Sequence, residues 1–199
     1  MSPTHRPVRF VVLALALLAG CGGGPPIKSK DQVGSTVARA SIPSVGAQGA
    51  RLAVMAQAGL PLPQVTVPGA DGGEAVVSIT AVGAIMGFAA KGVMFDVEFK
   101  GFSEGGGIRL DGKVSVLANF EYVAGSGEDP TTDLRLSLAG KVTVSGTLSD
   151  ELDLNVKLVT RFKDLSKRDG GISMRLDGTV NTREADFTFA QEDLQVVWK

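Results

Sequence analysis

The chain has 199 residues, a formal net charge of −1, 44% hydrophobic residues, one cysteine and one histidine. Setting aside an N-terminal signal of 20 residues, argued below, leaves 179, about one ordinary domain and enough for one sizeable core. His5 lies in that signal and Cys21 directly after it, so the remainder excludes Ser-His-Asp and Cys-His catalysis, histidine-based zinc sites and an internal disulfide framework. Only carboxylates, lysines and hydroxyls are left for chemistry, and nothing suggests the clustered basic face that nucleic acid favours. The expectation is a protein that is not an enzyme and has neither a metal nor a nucleic-acid partner, with a carboxylate-based hydrolase as a distant alternative.

Arg6 and Arg9 precede an uncharged apolar run from Phe10 to Ala19. Ten residues are too few to cross a bilayer as a helix, and residues 1–20 have the layout of a secretory signal peptide. The run closes on Leu18-Ala19-Gly20-Cys21, which resembles the lipobox of bacterial lipoproteins. That resemblance implies recognition of Leu18, Ala19 and Gly20, cleavage between Gly20 and Cys21, a diacylglyceryl group on the Cys21 thiol and a fatty-acyl chain such as palmitate on its new amine. It thus implies a membrane partner through the covalent lipid, and no other cofactor. Gly22 stands where an Asp in proteobacterial relatives argues for inner-membrane retention, so the resemblance favours the outer membrane of a Gram-negative cell. Loss of Arg6 and Arg9 takes the net charge from −1 to −3.

Gly22-Gly23-Gly24-Pro25-Pro26 and the run from Ile27 to Asp31 have linker composition, which predicts that residues 21–31 form a lipidated flexible tether reaching at most roughly 35 Å. Residues 32–60 are small and helix-compatible. Val33, Val37 and Ala40 lie at helical spacing, Pro43 is expected to break the run, and Ser44 to cap a second segment ending at Gly59. Such glycine-rich helix is weak alone and must be held by packing, as a slim element against a sheet.

After Leu60-Pro61-Leu62-Pro63 the period becomes two, and residues 61–199 read as an antiparallel β domain that packs with 32–60 as one domain. Ala75 to Ala90 carries no charge and is too short and glycine-interrupted for a membrane helix. It is expected to form a pair of buried central strands covered by the helical segment. The alternative is an apolar lip at Ile85, Met86 and Phe88 that meets lipid or a hydrophobic ligand.

Phe95, Val97 and Phe99 alternate with Asp96, Glu98 and Lys100. Three stretches then share a pattern, Ile108 to Val116, Leu134 to Val144 and Ile172 to Val180, each with a glycine on its apolar parity: Gly112, Gly140 and Gly178. Asp111-Gly112 and Asp177-Gly178 suit a type I′ hairpin turn, yet a turn there would mix apolar and charged groups on both faces. A strand running straight through puts Leu110, Gly112 and Val114 on one face and Arg109, Asp111 and Lys113 on the other. The reading is therefore long strands with a mid-strand glycine, which allows strong coiling. Leu152 to Phe162 supplies a partner strand. Phe187 and Phe189 follow a turn near Arg183-Glu184, and the switch of parity at Leu194 predicts a bulge between Gln191 and Asp193. Hairpin loops of four, five and two residues put Val97 opposite Gly112, Leu158 opposite Gly140 and Phe189 opposite Gly178.

The expected fold is mainly β with a small N-terminal helical segment: a curved antiparallel meander of roughly eight to ten strands, forming a half-barrel or barrel packed on a helix. That architecture is similar to the periplasmic lipoprotein localisation factors and the mycobacterial lipid-carrier lipoproteins; no sequence motif of either is present, so nothing is carried over residue by residue. One Trp and one Tyr cannot supply the aromatic girdles of an outer-membrane barrel, which places the apolar face inward. There Leu110, Val114, Leu136, Val142, Leu154, Val156, Leu176 and Phe187 are either solid core or the lining of a cavity for an acyl chain or other apolar ligand. Glu128, Asp129 and Asp133 in a Gly/Pro/Thr loop, and Asp71 with Glu74, offer oxygens to a hard cation such as calcium, but no EF-hand spacing is present and a solvated turn is the plainer reading.

The functional expectation is a membrane-anchored envelope lipoprotein, facing the periplasm or the cell surface, that binds an apolar ligand inside a curved β-sheet without catalysis. The alternative is a structural or assembly lipoprotein with a solid core, acting through contacts with another envelope protein.

Overall fold

The computed structural model describes residues 23–45, 64–84, 91–123, 131–163 and 172–194. One helix, α1 (Lys30–Val45), precedes eight strands: β1 (Gln64–Pro68), β2 (Glu74–Ala84), β3 (Lys91–Phe102), β4 (Ile108–Val123), β5 (Thr131–Gly146), β6 (Asp150–Lys163), β7 (Ile172–Asn181) and β8 (Asp186–Leu194). All eight make one antiparallel sheet in sequence order, with β1 and β8 as open edges. The expected curved meander is thus present as a half-barrel.

Strict alternation builds its inner face. Leu110, Val114, Val116, Leu134, Leu136, Leu138 and their counterparts on β3 and β6 are buried in one cluster, while Arg109, Asp111, Lys113 and Ser115 between them are exposed. The inner face closes on α1, which touches β8 as well as β2, β3 and β4. Six strand spacings separate β2 from β8, roughly 29 Å if the sheet were flat. A helix with its side chains is only about 10–12 Å across, so the sheet must wrap around it.

Mid-strand glycines permit that wrapping. Gly112, Gly140 and Gly178 have φ of +128°, +146° and +116°, in the half of the map that side-chain-bearing residues avoid. A Cβ at each would collide with a backbone carbonyl of the adjoining strand, that of Lys141, Lys113 and Asn155 respectively. The first two collisions are reciprocal, because Gly112 abuts the segment of β5 next to Gly140 and Gly140 abuts the segment of β4 next to Gly112. The three therefore run as a band across β4, β5 and β7 where the sheet bends.

Two of the three expected pairings are corrected. Gly178 does face Phe189, but Gly112 faces Phe99 rather than Val97, and Gly140 faces Leu154 rather than Leu158. Both shifts are even, so face assignment survives and each glycine still meets a larger apolar residue. In the β3–β4 hairpin the turn closes later than expected, with pairing starting at Phe102 opposite Leu110. A one-residue bulge between Phe99 and Phe102 at Gly101, φ +61°, whose N–H donates to Asp111 Oδ1 at 2.7 Å, takes one residue of that displacement back and so restores the parity. In the β5–β6 hairpin the five-residue loop is centred two residues earlier than expected, because pairing resumes already at Asp150 opposite Val144. The bulge expected near Gln191 is present: the β7–β8 register shifts between Gly178–Phe189 and Leu176–Glu192, and Gln191 has φ +54°.

The helix departs from expectation at both ends. It starts at Lys30, not 32, on a capping box that the residues Ser29 and Gln32 form: Gln32 N–H donates to Ser29 Oγ and Ser29 N–H to Gln32 Oε1. It runs through Pro43 to Val45 rather than breaking there. Pro43 has no N–H to give to the Arg39 carbonyl, and the helix ends two residues beyond it. Ser44 lies inside α1, and its buried Oγ has no hydrogen-bond partner among the described residues. Residues 46–63, where that second segment was expected, lie outside the described residues. Thr36 and Ser41 return their hydroxyls to the carbonyls of Gln32 and Ala38, which lets a small-residue helix bury polar side chains. Gly34 brings it against β8, since a Cβ there would lie 2.6 Å from Leu194 Cδ2. Lys30 fastens the same contact by pairing with Glu192 and lying 5.4 Å above the Phe189 ring.

Among the described residues the uncharged stretch from Ala75 contributes one strand, and residues 85–90 lie outside them. β2 runs to Ala84 and sits next to the β1 edge, with Ala75, Val77 and Ile79 buried. Val65 and Val67 on β1 pack against the core at the edge beside it.

Candidate functional site

The largest departure from the sequence reading lies just after Cys21. Cys21 itself, with Leu18, Ala19 and Gly20, is outside the described residues, but residues 24–29 are not a flexible tether. They form a strap laid along the β5–β6 turn. Gly24 N–H donates to the Gly146 carbonyl at 3.1 Å, Ser149 N–H to the Pro25 carbonyl at 3.0 Å, and Ile27 buries its side chain completely in the core. Backbone amides that reach a carbonyl partner give a linker-like sequence a defined path.

Asp150 holds the strap in place. Its carboxylate is buried at the start of β6, where Oδ2 accepts Ile27 N–H at 3.0 Å and Oδ1 accepts Glu151 N–H at 2.8 Å and Arg183 N–H at 3.0 Å. A buried carboxylate is tolerated only when its lone pairs are met, and three N–H groups from three separate parts of the chain meet them here. Sequence reasoning missed this residue because nothing local distinguishes it from the other strand-end aspartates.

The same end of the sheet carries four turns, and they are bonded to one another. Asp71 N–H donates to the Ser103 carbonyl at 2.9 Å and Ser103 N–H to the Gly72 carbonyl at 3.0 Å, joining the β1–β2 and β3–β4 turns. Thr147 N–H donates to the Gly107 carbonyl at 2.9 Å and Thr147 Oγ1 to the Gly106 carbonyl at 3.0 Å, joining β3–β4 to β5–β6. Asp150 and Glu151 reach Arg183 in the β7–β8 turn, the latter through a 2.6 Å bond from the guanidinium. The result is one knitted rim with the strap attached to it.

On the inner face the candidate lining residues are all brought together and all packed. Leu110, Val114, Leu136, Val142, Leu154, Val156 and Leu176 are each at most 2% exposed, and Phe187 is half-buried against the cluster. Ile85, Met86 and Phe88 lie outside the described residues, as do Glu128 and Asp129.

Asp133 is not in a solvated turn. It lies in β5, 1% exposed, and Arg161 of β6 binds it in two parallel bonds, Nε to Oδ1 and Nη2 to Oδ2, both 2.8 Å; Arg135 stands 3.9 Å away. The paired bonds from Arg161 hold the Asp133 carboxyl below its ordinary pKa; burial opposes this, and the charges of Arg161 and Arg135 add to it. The pair borders a cleft of about 580 Å³ on the outer face, where Lys157, Arg175 and Asp193 also lie and Arg175 bonds Asp193 at 3.1 Å. Asp71 and Glu74 do not converge on a common point: Glu74 pairs with Lys100 at 3.9 Å, while Asp71 takes part in the rim through its backbone. Among the described residues no three His, Cys, Asp or Glu side chains gather as metal ligands.

No protein-family model, curated protein or solved structure matches this chain. Its function has to be argued from its own residues.

Proposed function

We propose that the protein is an envelope lipoprotein, anchored through lipid on Cys21, that performs no catalysis and acts through its surface as a structural or assembly module. The observation that carries this choice over an internal ligand site is the packing of the inner face. Seven of the eight candidate lining residues are at most 2% exposed, packed into the one core cluster, and α1 packs against the inner face of the sheet. The lipobox resemblance supports the anchor, and three acyl chains would make attachment effectively permanent, since two such signals already suffice.

Native mass spectrometry of a soluble form beginning at Gly22 is the test. The bare polypeptide mass is expected, together with unfolding of Leu136→Trp and Val156→Trp, because neither site has room for an indole. Co-purified lipid that a still-folded Trp variant loses would instead establish the second reading, a holder of an acyl chain. The anchor is tested separately: Cys21→Ser is expected to leave the membrane fraction, and uniform retention would overturn it.

A further inference from the structure

We infer that the rim of turns rests on the lipid headgroups and fixes the orientation of the sheet, an inference that depends on lipidation of Cys21 as proposed above. Gly24, the first strap residue bonded to the rim, is three residues after Cys21. Three Cα steps span at most roughly 11 Å, not the 35 Å of a free ten-residue tether. The interfacial layer on each side of a bilayer is itself about 5–7 Å thick. An acylated Cys21 at the hydrocarbon boundary therefore leaves the β5–β6 turn no position except at or just above the headgroups.

The bonds among the turns extend that constraint to the whole end of the sheet. The strap is held by the β5–β6 turn, that turn by its neighbours on both sides, and the β1–β2 turn by Ser103. A body tied at one point of a flexible loop can swing; one tied at a buried residue of a knitted rim cannot. Pro25 and Pro26 stiffen the strap further by fixing two of its φ angles. The rim is also chemically suited to the headgroup layer. It is rich in glycine backbone at 72–73 and 105–107, and its exposed charges are of both signs with an acidic excess, Lys28 and Arg183 against Asp71, Glu151, Glu184 and Asp186. Contact with the layer is therefore expected to need no anionic lipid, unlike that of a polybasic segment. The strands rise from this base. Since β5 has 16 residues, its far end, with Asp133, stands up to roughly 50 Å along the strand from the membrane.

The acylated full-length protein is placed in phosphatidylcholine liposomes with a fluorophore on a single introduced thiol, Glu184→Cys on the rim or Ser173→Cys at the far end of β7. Quenching by headgroup spin-labelled lipid is then measured. Several-fold stronger quenching at position 184 is expected, with no anionic lipid present. Inserting a flexible Gly-Ser stretch of about ten residues between Gly22 and Gly23 should keep the protein on the liposomes and abolish the difference. Equal quenching at both positions, or a difference that survives the insertion, would overturn the inference alone if Cys21 carries acyl lipid. Absence of any acyl lipid on Cys21 would overturn the lipoprotein reading and the inference with it.

Discussion

Asp150 and Asp133 stand at opposite ends of the same β5–β6 hairpin, each 1% exposed, and they meet the cost of burying a carboxylate in different ways. Asp133 uses a guanidinium from the strand beside it, so its bonds tie together two segments that the ladder already joins. Asp150 uses only backbone N–H groups, from its neighbour Glu151, from Ile27 and from Arg183, and so ties the start of β6 to the N-terminal strap and to the β7–β8 turn, beyond the end of the β6–β7 ladder. The first is a charge pair reinforcing a hairpin. The second determines where the N-terminal strap and the β7–β8 turn lie, which gives one end of the sheet a built edge.

Removing the Asp150 carboxylate should produce the largest effect. Asp150→Ala leaves three buried or half-buried N–H groups without an acceptor and is expected to cost about 4 kcal/mol in urea denaturation. Asp150→Asn sharpens the comparison. It can keep one carbonyl for Glu151 and Arg183 but turns an amide NH₂ toward Ile27 N–H, so hydrogen exchange should accelerate at Ile27 while Arg183 stays protected. Equal acceleration at both would mean that strap and turn are one unit.

Asp133→Asn should cost less, about 2 kcal/mol at neutral pH, and its signature is pH dependence. The folded carboxyl titrates below its ordinary 3.8, so its contribution is present above that value and is lost as the pH falls through the lower folded one. Wild type and Asp133→Asn are therefore expected to differ in urea midpoint at neutral pH and to converge in strong acid. A constant difference at all pH values would show that the charge of Asp133 is not what the pair contributes. Thr147→Val should have the smallest effect, at most about 1 kcal/mol, because it removes one exposed hydroxyl bond to Gly106 while the backbone bond to Gly107 remains.

Face assignment was legible in the sequence because side-chain parity is a property of every residue along a strand. Leu110, Gly112 and Val114 against Arg109, Asp111 and Lys113 needed no knowledge of the partner strand, and neither did the parity switch that marks the bulge at Gln191. Register was less legible, since it depends on where a turn closes. A later β3–β4 turn, partly offset by the Gly101 bulge, moved one pairing by two residues and the resumption at Asp150 moved another by four. The strap was not legible at all. Gly-Gly-Gly-Pro-Pro reads as a linker because its order comes from acceptors more than a hundred residues away, and Ile27 gave no sign of its destination. Asp133 was misread for a related reason: Gly, Pro and Thr nearby suggested a loop, while the residue that buries it is Arg161, on another strand. The Ser29–Gln32 capping box, by contrast, was there to be read from spacing alone.

The strap also imposes an order in time. Ile27 and its acceptor Asp150 are 123 residues apart, and Arg183, which shares that carboxylate, follows later still. A chain that emerges from its N-terminus first cannot complete this junction until nearly all of it has appeared, and contacts of such sequence separation form late. Until β5 and β6 have formed, residues 24–29 lack the partners that order them, and the junction is complete only once the last hairpin has brought Arg183 to Asp150. The glycine and proline that disguise the strap as a linker describe what it is during that interval.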